Sequence, residues 1–381
     1  MRALHDPSGV IVPAEGVLLG LPARPGVRRR VWLTQNALRK SSRPLPGVFS
    51  FYAPNFFLDD PSPWLLPEDP ADPGCVRELS ALDLQQQIAP LAGADAPDGP
   101  LDWTPPSLAL FQQAFQDLQA QFQSGWLTKA VPVFFEHAAS SSLAPPAPQV
   151  ARWVSALLGA PETLTPYGCW SERGGVLGAS PELLFDIHGG VLRTMALAGT
   201  LAAPVSVDAG ATDVVEEAFL ADPKERREHR LVIEGIADTL APFGAVTVGE
   251  TGVLKLPTLW HLQTPIRVAL HETPSFERLA RSLHPTPALG GSPRDASLQW
   301  LRRQDARGEH TAEGRCGFGA PFGVQCPDGD AFCLVAVRNV MWDADTLRIG
   351  AGCGIIRESR AEREWEELRQ KRESVKRLFG L

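Results

Sequence analysis

Phe332-Cys333-Leu334-Val335-Ala336-Val337-Arg338-Asn339-Val340 alternates with a period of two, which puts Phe332, Leu334, Ala336 and Arg338 on one face. The spacing predicts a strand over this whole stretch. Another strand follows at Leu347–Ile349, closed by Gly350-Ala351-Gly352-Cys353-Gly354, and then a C-terminal helix over Glu362 to Phe379. Working back along the chain, Val176–Leu177 and Leu183–Ile187 flank a turn, and Gly189-Gly190 reads as a hairpin tip. Asp213 to Leu240 reads as one long helix with an internal Pro223. Apolar residues at 108, 111, 115, 118 and 122 have helical spacing, and Leu127 to Phe135 is a compact apolar strand. Shorter strand-like pieces occur at Val10–Val12 and Val48–Tyr52, while Pro90 to Pro100 and Pro145 to Pro148 read as loops. Strands mixed irregularly with helices predict an α+β, or mixed α/β, architecture.

The bulk properties narrow the function. Of 381 residues, 44% are apolar and 21% charged, which is the balance of a folded globular chain and not of a disordered one. A net charge of −8 argues against nucleic-acid or anionic-membrane partners. No stretch reaches the ~18 uncharged apolar residues of a membrane span. Asp6 and Pro7 fall where an export signal needs an apolar core, so a cytoplasmic protein is expected. Cys75, Cys169, Cys316, Cys326, Cys333 and Cys353 form no C-x-x-C pair, and read as scattered buried thiols of a reduced compartment. The chain has no phosphate loop, no H-E-x-x-H and no G-x-S-x-G. Lysine occurs only six times against thirty arginines, so each can be weighed singly.

Two helices carry acidic pairs at i,i+3. Glu225 and Glu228 share a face, and stepping by four from Glu228 reaches Val232, Ile236 and Leu240, an apolar stripe. Glu364 and Glu367 repeat the pattern, with Lys371 four residues beyond Glu367. Two such pairs facing inward would make an oxygen-rich site suited to Mg2+; facing outward they would be solvated Glu–Lys decoration. Lys129 lies inside an apolar strand, where it is either a desolvated general base or a strand-end lysine with its ammonium in water. Glu182 follows a Ser-Pro turn, as a general acid of raised pKa or a turn carboxylate. Arg338 shares a face with apolar residues, and Gly352 and Gly354 permit close backbone approach, so together they suggest a pocket for a small dianion.

Four segments resemble the chorismate-utilising enzymes: Leu197-Ala198-Gly199-Thr200, Lys224-Glu225-Arg226-Arg227-Glu228-His229, Ala351-Gly352-Cys353-Gly354-Ile355-Ile356 and Glu364-Trp365-Glu366-Glu367. The likeness runs in consistent order from about Lys129 to Leu381. It implies antiparallel and mixed sheets forming a β-sandwich core with helices packed outside. Residues 1–110 would contribute to the same fold, and residues 111–381 would form the catalytic region. Ala198 stands where aminodeoxychorismate synthases carry lysine, and Lys129 is present as in the water-using members. The segments Leu256 to Thr264 and Leu283 to Gly291 are similar to the isochorismate synthase forms.

The resemblance implies Lys129 as the base that activates water, Glu182 as the acid for the departing hydroxyl, and His261 near the leaving group. It implies Glu228 and Glu367 as Mg2+ ligands, with Glu225 and Glu364 close by. Arg338 and the Gly352 amide would hold the enolpyruvyl carboxylate, and Gly199, Thr200, Ala288 and Lys371 would line the pocket. The expected partner is a small-molecule substrate, chorismate or isochorismate, with the protein a monomer or weak homo-oligomer. The product would feed menaquinone synthesis, siderophore synthesis or another route. Rival readings are a salicylate synthase, which adds pyruvate elimination, and a non-catalytic chorismate-binding subunit. Three departures stand out: Pro132 after the base lysine, which predicts an edge or bulged strand; Phe318 where many relatives have tyrosine; and Cys353 for the common alanine.

Overall fold

The computed structural model describes residues 12–21, 29–34, 38–70, 72, 74–93, 101–139, 145, 147–204, 209–307 and 315–381. Two large antiparallel sheets dominate it. One runs in the order Val76–Ser80, Arg30–Thr34, Gly16–Gly20, Thr165–Ser171, Gly174–Ser180, Asn339–Trp342, Thr346–Gly352, Val133–Ala139, Trp103–Thr104. The other runs Gly244–Val248, Leu259–Leu270, Val191–Ala202, Leu183–His188, Ala331–Val335, Pro321–Gln325, Ser50–Tyr52, Trp64–Pro67, Leu38–Ser41, with Gly252–Lys255 also paired to Leu259–Leu270.

Strand alternation builds three layers of core. Val17, Leu19 and Tyr167 of the first sheet meet Phe322, Val324, Phe332 and Leu334 of the second. Leu18, Leu33 and Val340, on the reverse face of the first sheet, pack against helical Leu84, Trp153, Val154 and Phe379. Leu192, Ala196, Ile266 and Val268 of the second sheet pack against Val232, Ile236 and Leu240 of the helix Pro223–Leu240. The result is the expected α+β sandwich with helices outside. Strands from the first eighty residues lie in both sheets.

Several local expectations change. Asp213 to Leu240 is two helices, Ala209–Ala221 and Pro223–Leu240. Asp222 caps the second, accepting from the amides of Lys224 (2.8 Å) and Glu225 (3.0 Å), with Pro223 in the first turn where it lacks no needed donor. Phe332 to Val340 is likewise not one strand. Ala331–Val335 belongs to the second sheet and Asn339–Trp342 to the first, so residues 336–338 cross between them. Asn339 Nδ2 donates to Ala336 O (2.9 Å) and Tyr167 Oη to Val337 O (3.0 Å), pinning the crossover. Arg338 therefore sits on a bend, with φ 57°, and not on a strand face.

Leu127 to Phe135 divides too. Lys129–Ala130 is the middle strand of a small sheet between Gly291–Ser292 and Ile355–Ile356, whereas Val133–Ala139 belongs to the first large sheet. Pro132 has no amide hydrogen for either ladder, and it ends one strand before the next begins. The base strand is thus neither an edge nor bulged, and Lys129, Val131 and Val133 do not share one strand face. Pro90 lies in the last turn of the helix Ala81–Ala92 and Pro148 in the first turn of Ala147–Leu158, so neither belongs to a loop. Of the other expected loop and strand residues, 94–100, 146, Val10 and Ile11 lie outside the described residues, and Val12 is not in a strand. None of the six cysteines is in a disulfide, and Cys75, Cys333 and Cys353 are buried whereas Cys169, Cys316 and Cys326 are only partly so; no helix among the described residues is long and apolar enough to cross a membrane.

Candidate active site

The cleft is lined by residues of both large sheets and of the helices Pro223–Leu240 and Ala361–Phe379. Its lining includes Glu182, Gly199, Thr200, Glu228 and His261, together with Ala288, Arg338, Gly352, Glu367 and Lys371. These come from segments up to 189 residues apart, from Glu182 to Lys371, and every one was expected at a single site.

Lys129 lies beneath the cleft. It is fully buried, which removes the solvated strand-end reading, and its Nζ donates to Glu228 Oε1 at 3.0 Å. Glu228 sits where the stripe analysis placed it, buried on the inward face of its helix. Gly354 accounts for the close approach: a Cβ there would collide with the Glu228 carboxylate and the Lys129 stem.

The acidic residues of the two helices meet, and they are not solvated. Glu364 is 2% exposed and Glu228 6%. Sequence reasoning missed the group between them. Lys224 Nζ lies 3.1 Å from Glu225 Oε1, 3.2 Å from Glu228 Oε2 and 3.4 Å from Glu364 Oε1. Its i,i+4 relation to Glu228 was the available signal. Glu367 pairs with Lys371 at 2.5 Å, and Lys371 also donates to Gly352 O at 2.8 Å. Burial raises Glu364 to about 8, with Glu367 nearby adding to the effect, and it raises Glu225 to about 7 against the pull of Lys224. Burial would raise Glu228 as well, but Lys129 and Lys224 outweigh it and hold that carboxyl low. Among the described residues no three carboxylates already converge as a metal cage. The donors present are nonetheless all oxygens, and Glu364 Oε2 is buried without a hydrogen-bond partner, so the set suits a hard divalent cation.

A bulge in the strand Val191–Ala202 shapes the opposing lining. Gly199 adopts φ +78°, a left-handed conformation that glycine takes without strain, and the register slips between Ala198 and Thr200. The slip turns the Thr200 amide to Glu225 Oε2 (3.1 Å) and leaves Gly199 O to accept from His261 Nδ1 (3.0 Å). His261 Nε2 lies 3.1 Å from Arg338 Nη2. Burial, then Arg338 and Lys371, hold the imidazole pKa well below its usual range, so it is neutral. Burial also lowers Arg338, to about 10, and it remains a cation.

Glu182 is fixed by the Ser180-Pro181 turn. Its amide donates to Ser180 Oγ (3.1 Å), and Ser180 Oγ donates to Val335 O (2.6 Å). The carboxyl is buried, and desolvation raises it to about 7 despite Lys129, Lys371 and Arg338. Phe318 lines the cleft without offering a hydroxyl.

The salicylate biosynthesis isochorismate synthase of Pseudomonas aeruginosa is 36% identical over 221 residues, 56% of this chain and 45% of that protein. Isochorismate synthase MenF of Bacillus subtilis is 33% identical over 194 residues, 50% of this chain and 39% of that protein. The chain thus spans about half the length or less of these curated relatives. The structure of DhbC from Bacillus anthracis superposes with a TM-score of 0.76 at 22% identity, covering 97% of this chain and 96% of that one, which shows a shared fold. The family model described as chorismate binding enzyme matches residues 111–380, and the chain belongs to that family.

Proposed function

We propose that the protein is a Mg2+-dependent isochorismate synthase of the cytoplasm, with residues 1–110 completing the fold and residues 111–381 forming the catalytic region. The observation that carries this reading is Lys129, fully buried beneath a cleft that also holds the raised carboxyl of Glu182. The relatives named isochorismate synthase support it.

In this reading Lys129 Nζ takes a proton from a water molecule as its oxygen bonds to C2 of chorismate. The ring double bonds shift and the C4–O bond breaks. Glu182 gives its proton to that oxygen, which departs as water, so the ring gains and loses one hydroxyl. The ammonium formed on Lys129 is held by Glu228, as in the 3.0 Å pair. Arg338, oriented by His261, and the Gly352 backbone receive the enolpyruvyl carboxylate. Glu228 and Glu367 would hold Mg2+, with Glu225 and Glu364 beside them. When bound, the ion supplies neutralisation of the ring carboxylate.

Ala198 in place of a lysine counts against aminodeoxychorismate synthase activity. The feature behind the non-catalytic reading, Pro132, only ends the Lys129 strand and leaves Lys129 buried in place. Lys129→Ala is expected to abolish turnover while retaining Mg2+-dependent binding of chorismate. Unchanged turnover in that variant removes the base assignment.

A further inference from the structure

Lys224 is a lysine where the proposed ion would stand. Its ammonium touches three carboxylates from two helices, at 3.1, 3.2 and 3.4 Å. Three N–H donors on one rotatable head match three acceptors. The contacts follow from local structure: Asp222 and Pro223 start the helix so that Lys224 lies in its first turn, next to Glu225 and one turn before Glu228. The last helix then brings up Glu364.

Four glutamate carboxyl groups and the side chains of Lys129, Lys224 and Lys371 meet in the cluster. A divalent ion needs oxygens at about 2.0–2.1 Å, about 1 Å closer than Lys224 allows, and it repels an ammonium at that range. The ion and Lys224 cannot share the position. The side chain is 23% exposed, so its head has a route to water.

From these contacts we infer that the Lys224 ammonium is a built-in stand-in cation: it keeps the acidic cluster folded without metal, and divalent metal binds by expelling it. This inference rests on the reading of the cluster as a metal site. The side chain then sets a threshold for loading, since the incoming ion must replace contacts already made.

Two measurements test it. Calorimetric titration of wild type and Lys224→Gln with MgCl2 should show Mg2+ binding at least tenfold tighter in the variant. Wild-type protein is also acetylated briefly with and without Mg2+ and analysed by peptide mass spectrometry, with exposed Lys40 as the reference among six lysines. Lys224 should label at least fivefold faster with Mg2+, while Lys40 is unchanged. The labelling arm stands even if Lys224→Gln does not fold. Mg2+ binding of equal or lower affinity in the variant, or Lys224 labelling indifferent to Mg2+, overturns this inference alone. No Mg2+ binding by either protein overturns the metal reading together with it.

Discussion

Arg338 Nη2 donates to His261 Nε2 at 3.1 Å, and this one contact fixes the state of both residues. A guanidinium has no acceptor, so Nε2 carries no proton, and Nδ1 donates to Gly199 O. His261 is therefore a neutral ring that aims Arg338, which already holds φ 57° on its crossover bend. Hydrogen bonds to charged groups contribute about 1.5–3 kcal/mol. His261→Ala should thus lower kcat/KM by roughly ten- to a hundredfold, mainly through KM. Steady-state kinetics with chorismate check this; a KM unchanged from wild type contradicts the positioning role.

Glu182 provides a pH signature. Burial raises its carboxyl to about 7, so the proton is present below that pH and lost above it. The rate should fall on the alkaline side of about pH 7, tenfold per unit at the limit. Glu182→Gln should cost about 10²–10⁴ in kcat, the usual contribution of general acid catalysis. A pH–rate profile of wild type that stays flat from pH 6 to 9 would remove Glu182 as the acid.

Gly354 tests the packing beneath the cleft. Gly354→Ala drives a methyl into the Glu228 carboxylate and the Lys129 stem. Overpacking typically destabilises by about 1–3 kcal/mol. Urea unfolding should show a loss of that size, with turnover reduced more than Lys40→Ala reduces it. A fully stable and active variant contradicts the described approach of Gly354 to Glu228.

His284 predicts the acid limb of stability. It is buried, its Nε2 donates to Phe56 O at 2.6 Å, and desolvation lowers its pKa to about 3. Its unfolded value is about 6.5. Stability from keeping this ring neutral is full above about pH 6.5 and declines as pH falls toward 3, by up to ~1.4 kcal/mol per unit. His229, lowered to about 4 chiefly by burial, adds in the same direction. Denaturant unfolding at pH 7 and pH 5 checks the sign. His284→Gln, which keeps a donor for Phe56 O, should shrink the difference between the two.

Much of this site is legible in the sequence. The stripe running from Glu228 through Val232 and Ile236 correctly placed a carboxylate inside, because helical periodicity depends on the chain alone. The strands were harder. Phe332 to Val340 reads as one strand across residues 336–338, yet the chain changes sheets there, and the long-range bonds of Tyr167 with Asn339 and Val337 mark the change. Likewise Leu127 to Phe135 is apolar throughout because both sheets it serves are buried. The family likeness supplied the roles proposed for Lys129 and Glu182, and their burial supports that proposal. Lys224 went unread because its significance depends on Glu364, which lies 140 positions away in sequence.

The central claim is a water-for-hydroxyl exchange on the chorismate ring. The most direct measurement is incubation of the purified protein with chorismate and Mg2+ in H2 18O, followed by chromatographic and mass-spectrometric identification of the product. The account predicts isochorismate with one 18O at C2 and no pyruvate. Chorismate recovered without label or change, or pyruvate released with salicylate, would contradict it.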